Sequence, residues 1–175
     1  MNDKVPGNDS AHPHRMTTRV ALVTGANKGI GLEIARQLAQ AGVFVILGAR
    51  DRDRASAAVA DLARQGLAAQ AVRIDLDDEA SIATAAASIT AEHGRLDILV
   101  NNAGIVDAED GPPGAASLAA VRKIMNTNFV GTLAVTQAML PLLRKSPAAR
   151  IVNLSSSSVR SPSTEIRRRP IIRRD

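Results

Sequence analysis

Three glycines stand between a short apolar run and a helical pattern near the start of the chain. Gly25, Gly29 and Gly31 follow the aliphatic run 20–23 and precede the amphipathic pattern 32–41. A helix N-terminus presents unpaired backbone N–H groups and a partial positive charge, which together bind phosphate. Glycines let the backbone turn sharply and approach such an anion closely. This G-x-x-x-G-x-G spacing predicts a site for a phosphate-bearing nucleotide; the alternative is glycine used only to make a turn.

Two cationic side chains lie at positions that would determine the selectivity between NAD and NADP. Lys28 belongs to the glycine turn, and Arg50 ends the second predicted strand. A carboxylate at the end of that strand would bind a ribose 2′-hydroxyl and select NAD, whereas arginine accommodates a 2′-phosphate. Lys28 and Arg50 therefore favour NADP as the ligand. The alternative is that both are solvated surface cations with no ligand. Asp51, one place later, keeps NAD as the less favoured alternative.

Polar side chains also follow the third and fourth predicted strands. Asp75 could bond an adenine amino group or cap the next helix, a role that Asp77 and Asp78 suit well. Asn101 and Asn102 end the fourth strand, at the sheet edge where ligands bind in such folds. Either amide could instead bond neighbouring backbone.

Two further segments carry polar groups at unusual places. Asn126 and Asn128 lie inside a predicted helix, where asparagine is unfavourable, so the pair indicates local hydrogen bonding or a bound water. The apolar run 151–154 leads into four serines at 155–158. A serine run is usually a loop, but this one falls at the same predicted sheet edge as the other sites.

Short aliphatic strands alternate with helical patterns along the chain. The predicted strands are 19–24, 43–48, 68–74, 96–100 and 149–154, and the predicted helices are 29–41, 53–65, 78–93 and 117–143. Continuous aliphatic strands suit a parallel sheet that is covered on both faces. The pattern therefore predicts an α/β fold: a Rossmann-type doubly wound parallel sheet, incomplete, with about five strands.

The chain divides into three parts by composition. Residues 1–18 lack periodicity and are expected to be a disordered N-terminal tail. Residues 19–158 form the predicted dinucleotide-binding domain. Residues 159–175 form an arginine-rich tail with two prolines and no period, which does not resemble a continuation of that domain.

Composition excludes several classes of function. The net charge is +5, but residues 160–175 hold six arginines against two acids, so the remainder is nearly neutral. No base-reading or stacking element accompanies the tail, so no nucleic-acid partner is expected. No cysteine is present, which excludes disulfides and thiolate metal sites, and no metal site is expected. No apolar run is long enough to span a membrane, so we expect a cytoplasmic protein.

Taken together, these segments resemble the short-chain dehydrogenase/reductase family. The matching motifs are Thr24-Gly25-Ala26-Asn27-Lys28-Gly29-Ile30-Gly31, Asp75, Asn101-Asn102-Ala103-Gly104, Asn128 and Ile151-Val152-Asn153-Leu154-Ser155-Ser156, in family order over about residues 18–158. The sequence Gly-Ala-Asn-Lys-Gly-Ile-Gly of the glycine turn, together with Arg50, resembles the NADPH-dependent carbonyl reductase branch. The resemblance implies hydride transfer between NADP(H) and a small carbonyl or alcohol substrate.

The resemblance also implies roles for single residues. The cofactor-binding residues would be Gly25, Asn27, Lys28, Gly29, Ile30 and Gly31 at the pyrophosphate, Lys28 and Arg50 at the 2′-phosphate, Asp75 and Leu76 beside the adenine, and Asn102, Ala103 and Gly104 along the ribose. The catalytic residues would be Asn128, holding a proton-relay water, and Ser156, polarising the substrate carbonyl, with Ser155 as the fallback.

One departure from the family pattern concerns the proton donor. Family members carry a Tyr-x-x-x-Lys pair on the helix that follows the serine strand, where the tyrosine donates the proton. This chain contains no tyrosine, and Arg167 to Pro170 stand near the expected place. We therefore expect a C-terminally truncated member, through a reading-frame change near residue 159, with little or no activity as written. The alternative is a catalytically dead NADP-binding module, and dimerisation is in doubt because the partner of helix 117–143 at the usual interface is missing.

Overall fold

The computed structural model of the chain describes residues 18–112 and 114–155. Its strands are β1 (Val20–Thr24), β2 (Phe44–Ala49), β3 (Ala69–Arg73), β4 (Ile98–Asn101) and β5 (Arg150–Asn153). Its α-helices are α1 (Gly29–Gln40), α2 (Arg52–Arg64), α3 (Glu79–His93), α4 (Leu118–Met125) and α5 (Thr132–Leu143), with a π-helical segment, Asn126–Gly131, between α4 and α5.

The five strands form one parallel sheet in the order β3-β2-β1-β4-β5. The order reverses between β1 and β4, because the chain first builds outward to β3 and then crosses back to the other side of β1. This is a doubly wound sheet, and it confirms the predicted α/β Rossmann-type fold with five strands. Ligands bind such sheets beyond the carboxyl ends of the strands at the point of reversal.

Helices cover both faces of the sheet and form two separate cores. On one face, Leu22 and Leu99 pack with Ile89 of α3 and Met139 of α5. On the other face, alternate strand residues pack with α1 and α2, including Val23, Val45, Ala35 and Leu62. Successive strand residues point to opposite faces, so aliphatic residues at every position are what a sheet covered on both sides requires.

The predicted helix 117–143 is wrong in one respect, because it is not a single α-helix. It is interrupted by the π-helical segment Asn126–Gly131. The side chains of Asn126, Thr127 and Asn128 bond groups outside the helix. A π-bulge accommodates one extra residue in a helix, and these outward bonds hold the widened turn in place.

A buried carboxylate fastens the amino end of β4 to the rest of the sheet. Asp97 is only 4% exposed. It accepts hydrogen bonds from the Val20 backbone N–H at 2.9 Å, Ser146 Oγ at 2.6 Å and Arg95 Nε at 3.2 Å. Burial alone would raise the pKa of the Asp97 carboxyl, but these donors and the Arg95 charge lower it below its ordinary value.

Strand β5 is the edge of the sheet in the described part of the chain, and all four of its residues are exposed. Ile151 and Val152 are 42% and 46% exposed, and Phe129 beside α5 is 61% exposed. No described helix is long and apolar enough to cross a membrane.

Candidate functional site

A crevice of about 590 Å³ opens beyond the carboxyl ends of β1, β2, β3 and β4. It is lined by Gly25, Asn27, Lys28, Gly29, Ile30, Gly31, Ala49, Arg50, Asp51, Arg54, Ile74, Asp75, Leu76, Asp77, Asn102, Ala103, Gly104, Ile105 and Thr127. Every cofactor-binding residue that the sequence predicted lies on this lining. The crevice stands at the reversal of strand order, where an open α/β sheet binds its ligand.

Close contacts at two of the three glycines in the turn leave no room for a side chain. Gly25 has φ +65°, and a Cβ there would lie 2.9 Å from Ala103 Cα. A Cβ on Gly31 would lie 2.5 Å from Gly25 O and would also collide with Asn102 Nδ2. These two glycines are therefore required for β1, α1 and β4 to meet at one point.

Helix α1 begins at the crevice with its first turn available to a ligand. The side chain of Lys28, at the N-cap position, makes no capping hydrogen bond. By contrast, Asp51, Asp78 and Ser117 cap α2, α3 and α4 with their side chains. The first N–H groups of a helix lack partners within the helix, so α1 presents donors and a partial positive charge to the crevice.

Three cationic side chains line the crevice. Lys28 and Arg50 were predicted from the sequence, and Arg54 in the first turn of α2 is a third that was not. Asp51 accepts from the Arg54 backbone N–H at 3.1 Å and lies 3.2 Å from Arg54 Nε. The Asp51 carboxylate is therefore bonded to the first turn of α2. No local sequence signal marks Arg54, because only the folded arrangement of α2 against β2 brings it to the crevice.

Asp75 lies on the crevice wall, where the sequence predicted it. Its Oδ1 accepts from the Asp77 backbone N–H at 3.3 Å, and its Oδ2 lies 3.7 Å from Arg73. The capping alternative falls to Asp78, whose Oδ1 accepts from Ser81 N at 3.1 Å. Hydrogen bonding to Arg73 is the main cause that lowers the pKa of Asp78 below its ordinary value. Asp77, expected to serve as a cap, instead bonds the π-helical segment.

Both amides at the end of β4 are engaged with the protein. Asn101 Nδ2 donates to Thr136 Oγ1 at 3.0 Å and to Asn153 Oδ1 at 2.8 Å, which joins β4 to α5 and β5. Asn102 Nδ2 donates to the backbone oxygens of Thr24 at 2.8 Å and Gly25 at 3.2 Å. Asn102 therefore shapes the crevice through its side chain, while Ala103 and Gly104 contribute backbone to the wall.

Of the predicted catalytic residues, Asn128 is bonded to the backbone beside the crevice, and the serines follow β5 in the sequence. Asn128 bonds the Ile105 backbone twice: its Oδ1 accepts from N–H at 2.7 Å, and its Nδ2 donates to the carbonyl at 2.8 Å. Each amide atom keeps one further bonding capacity for a water. Ser155 is exposed just beyond β5. Ser156 and the tail 159–175 lie outside the described residues.

The described residues contain no group of three or more histidine, cysteine, aspartate or glutamate side chains arranged to hold a metal ion. The donor set at the crevice consists of backbone N–H groups, cations and amides. Such donors suit a phosphorylated organic ligand.

The chain is similar in sequence to named reductases and dehydrogenases. It is 46% identical over 141 residues to carbonyl reductase [NADPH] 1 of Macaca fascicularis, an alignment that covers 79% of this chain and 49% of that protein. It is 39% identical over 161 residues to (+)-neomenthol dehydrogenase of Arabidopsis thaliana, covering 81% and 54%. The chain thus spans about half the length of the curated relatives it matches.

Solved structures show the same similarity in three dimensions. Menthone neomenthol reductase from Mentha piperita superposes with a TM-score of 0.71 at 35% identity, covering 81% of this chain and 61% of that one. A short chain dehydrogenase from Shigella flexneri complexed with NADP gives 0.73 at 33% identity, covering 79% and 59%. The sequence profile described as short chain dehydrogenase matches residues 19–166. With the doubly wound sheet and the glycine turn at its reversal point, this match shows that the chain belongs to the short chain dehydrogenase family.

Proposed function

We propose that this chain binds NADP(H) in the crevice beyond β1, β2, β3 and β4. The observation that carries the proposal is the uncapped start of α1 facing a crevice bordered by Lys28, Arg50 and Arg54. A pyrophosphate needs N–H donors at short range, and a 2′-phosphate needs cations at the end of β2. The carbonyl reductase relative, which carries NADPH in its name, supports the same choice.

Different residues of the crevice would contact different parts of the cofactor. Backbone N–H groups of the turn Gly25–Gly31 would hold the pyrophosphate, including those of Asn27 and Ile30. Arg50 and Arg54, with Lys28, would hold the 2′-phosphate, since guanidinium groups match phosphate oxygens in a bidentate manner. Asp75 and Leu76 would flank the adenine, and the backbone of Ala103 and Gly104 would line the ribose.

The reaction of the family type is hydride transfer between NADP(H) and a small carbonyl or alcohol substrate. The bound cofactor would supply or accept the hydride. Ser156, with Ser155 as the fallback, would donate a hydrogen bond to the substrate oxygen, and Asn128 would hold a water for proton movement. No tyrosine exists among the 175 residues to donate the proton. Guanidinium groups stay protonated and are poor proton donors, so we propose binding without appreciable turnover by this chain alone, in the cytoplasm.

A titration followed by a turnover assay tests both parts of the proposal. The chain contains no tryptophan or tyrosine, so the fluorescence of NADPH can be followed with little interference from the protein. We expect a saturable change on adding the full chain and no oxidation of NADPH with a panel of ketones and aldehydes. Absence of binding contradicts the cofactor site. Turnover that is lost in Ser156→Ala contradicts the proposed inactivity.

A further inference from the structure

The loop that follows β3 is bonded directly to the π-helical segment, far away in sequence. Asp77 Oδ1 accepts from Asn126 Nδ2 at 3.0 Å and from Thr127 Oγ1 at 2.8 Å. Thr127 Oγ1 also lies 3.1 Å from Asp77 Oδ2, and Thr127 is only 7% exposed. One carboxylate therefore holds two consecutive side chains of the segment.

Backbone contact reinforces this junction. A Cβ added to Gly131 would collide with Leu76 O and would lie 2.7 Å from Leu76 Cβ. Glycine at this position lets the π-helical segment come into contact with the backbone before Asp77. The segment and the β3–α3 loop therefore pack without space between them, and Asp77 lies where the two meet.

The same segment is also bonded, through Asn128, to the loop that follows β4. Its amide bonds both backbone groups of Ile105, at 2.7 Å and 2.8 Å. A Cβ on Gly104 would lie 3.3 Å from Asn128 Oδ1, so the wall is in close contact with this side chain. Asp77 and Ile105 both line the crevice. The π-helical segment thus bridges the loop after β3 and the loop after β4.

We propose that Asp77 is a positioning residue that sets the width of the cofactor crevice through the π-helical segment. This proposal rests on the proposed function. Asp75 and Leu76 form the adenine-side wall of the crevice, and Ala103 and Gly104 form the ribose-side wall. The contacts Asp77–Thr127–Asn128–Ile105 hold these two walls at a fixed separation. Loss of the Asp77 carboxylate frees the segment, and Asn128 no longer fixes the Ile105 backbone.

The bonds made by Asp77, rather than its charge, carry this role. Asn126 Nδ2 and Thr127 Oγ1 both donate to the same oxygen, Oδ1. Asparagine at position 77 keeps an equivalent oxygen and removes the negative charge, whereas alanine removes both. The pair Asp77→Asn and Asp77→Ala therefore separates hydrogen bonding from electrostatics.

The test measures two quantities on the full chain. The first is the hydrogen-exchange rate of the Ile105 backbone N–H without cofactor, with the buried Leu22 N–H as the reference for global unfolding. The second is the dissociation constant for NADPH. For Asp77→Ala we expect exchange at Ile105 to quicken about tenfold relative to Leu22, and the NADPH dissociation constant to rise about tenfold. Asp77→Asn should stay close to the unsubstituted chain in both.

Asp78→Ala is the matched control, because Asp78 caps α3 and pairs with Arg73 but does not bond the π-helical segment. It should leave the exchange at Ile105 relative to Leu22 unchanged. Thr127→Val removes one donor with little change of shape, and it should reproduce the direction of Asp77→Ala if that variant does not fold.

Three outcomes overturn the inference. They are unchanged Ile105 exchange in both Asp77→Ala and Thr127→Val, equal effects of Asp77→Asn and Asp77→Ala, and the same effect in Asp78→Ala. A chain that does not bind NADPH at all overturns the proposed function instead, and the exchange measurements still decide whether Asp77 positions the Ile105 wall.

Discussion

Asn102 donates two hydrogen bonds to Thr24, one from its backbone and one from its side chain. Thr24 Oγ1 accepts from the Asn102 backbone N–H at 3.0 Å, and Asn102 Nδ2 donates to Thr24 O at 2.8 Å. Thr24 Oγ1 also accepts from Ala103 N–H at 3.0 Å. The carboxyl ends of β1 and β4 are therefore joined by three hydrogen bonds where the glycine turn begins.

Replacing Thr24 by valine tests this junction. Valine keeps the shape but removes the acceptor for two backbone N–H groups, and Thr24 is only 2% exposed. Unsatisfied buried donors are costly, so we expect the free energy of unfolding to fall by about 2 kcal/mol. Urea denaturation measures this, with Thr24→Ser, which retains the hydroxyl, as the control. Equal stability of the valine and serine variants would show that the two bonds contribute little.

Gly31→Ala gives an effect opposite in sign to helix propensity. Alanine is a better helix former than glycine by about 1 kcal/mol, so propensity alone predicts stabilisation of α1. The added Cβ would collide with Asn102 Nδ2 and Gly25 O. We therefore expect lower stability and loss of NADPH binding, measured by thermal denaturation and titration. Gly114→Ala, where a Cβ meets nothing within 4 Å, is the control; a stabilised Gly31→Ala variant would refute the close approach.

Asp97 predicts how stability depends on pH. Its hydrogen bonds and Arg95 hold the folded-state pKa below the ordinary carboxyl value, so the folded protein binds fewer protons than the unfolded chain in this range. The resulting stabilisation is fully present above the unfolded carboxyl pKa, about 3.9. It is lost as pH falls from there through the lower folded-state pKa.

Urea denaturation at a series of pH values measures that loss. In Asp97→Asn the decline in unfolding free energy below about pH 4 should be shallower, and stability at neutral pH should be lower by about 2 kcal/mol, because the donors around position 97 lose a charged acceptor. An unaltered pH profile in the variant would assign the acid sensitivity to other carboxylates.

The central strands were predictable because β1, β2 and β4 carry aliphatic runs bounded by turns or polar residues, whereas β3 was placed from its position between two helical patterns. The predicted 43–48 and 68–74 correspond to β2 at Phe44–Ala49 and β3 at Ala69–Arg73. The glycine turn was predictable because the spacing of its glycines is a local feature of the sequence. Asn126 and Asn128 indicated hydrogen bonding by side chains inside a helix, but their partners Asp77 and Ile105 lie 49 and 23 residues away instead of nearby. The sequence also did not show that the helix widens to a π turn there.

The partners of Asp77 could not be predicted from the sequence. Asn126 and Thr127 lie 49 and 50 residues away, and only the folded sheet brings the β3–α3 loop to them. Asp77 and Asp78 stand side by side before α3, yet a single cap position exists there and Asp78 takes it. Arg54 was missed for a similar reason, since its approach to the crevice depends on the direction in which α2 leaves β2.

The ratio of NADH to NADPH dissociation constants for the full chain decides whether the crevice is an NADP site. Cations at Lys28, Arg50 and Arg54 should make NADPH bind at least about tenfold more tightly than NADH. In Arg50→Ala the ratio should fall towards one through weaker NADPH binding alone. Arg64→Ala, on the far end of the same helix as Arg54 and paired with Asp61 at 3.0 Å, should leave the ratio unchanged. Equal affinity for the two cofactors, or no binding of either, would contradict the account.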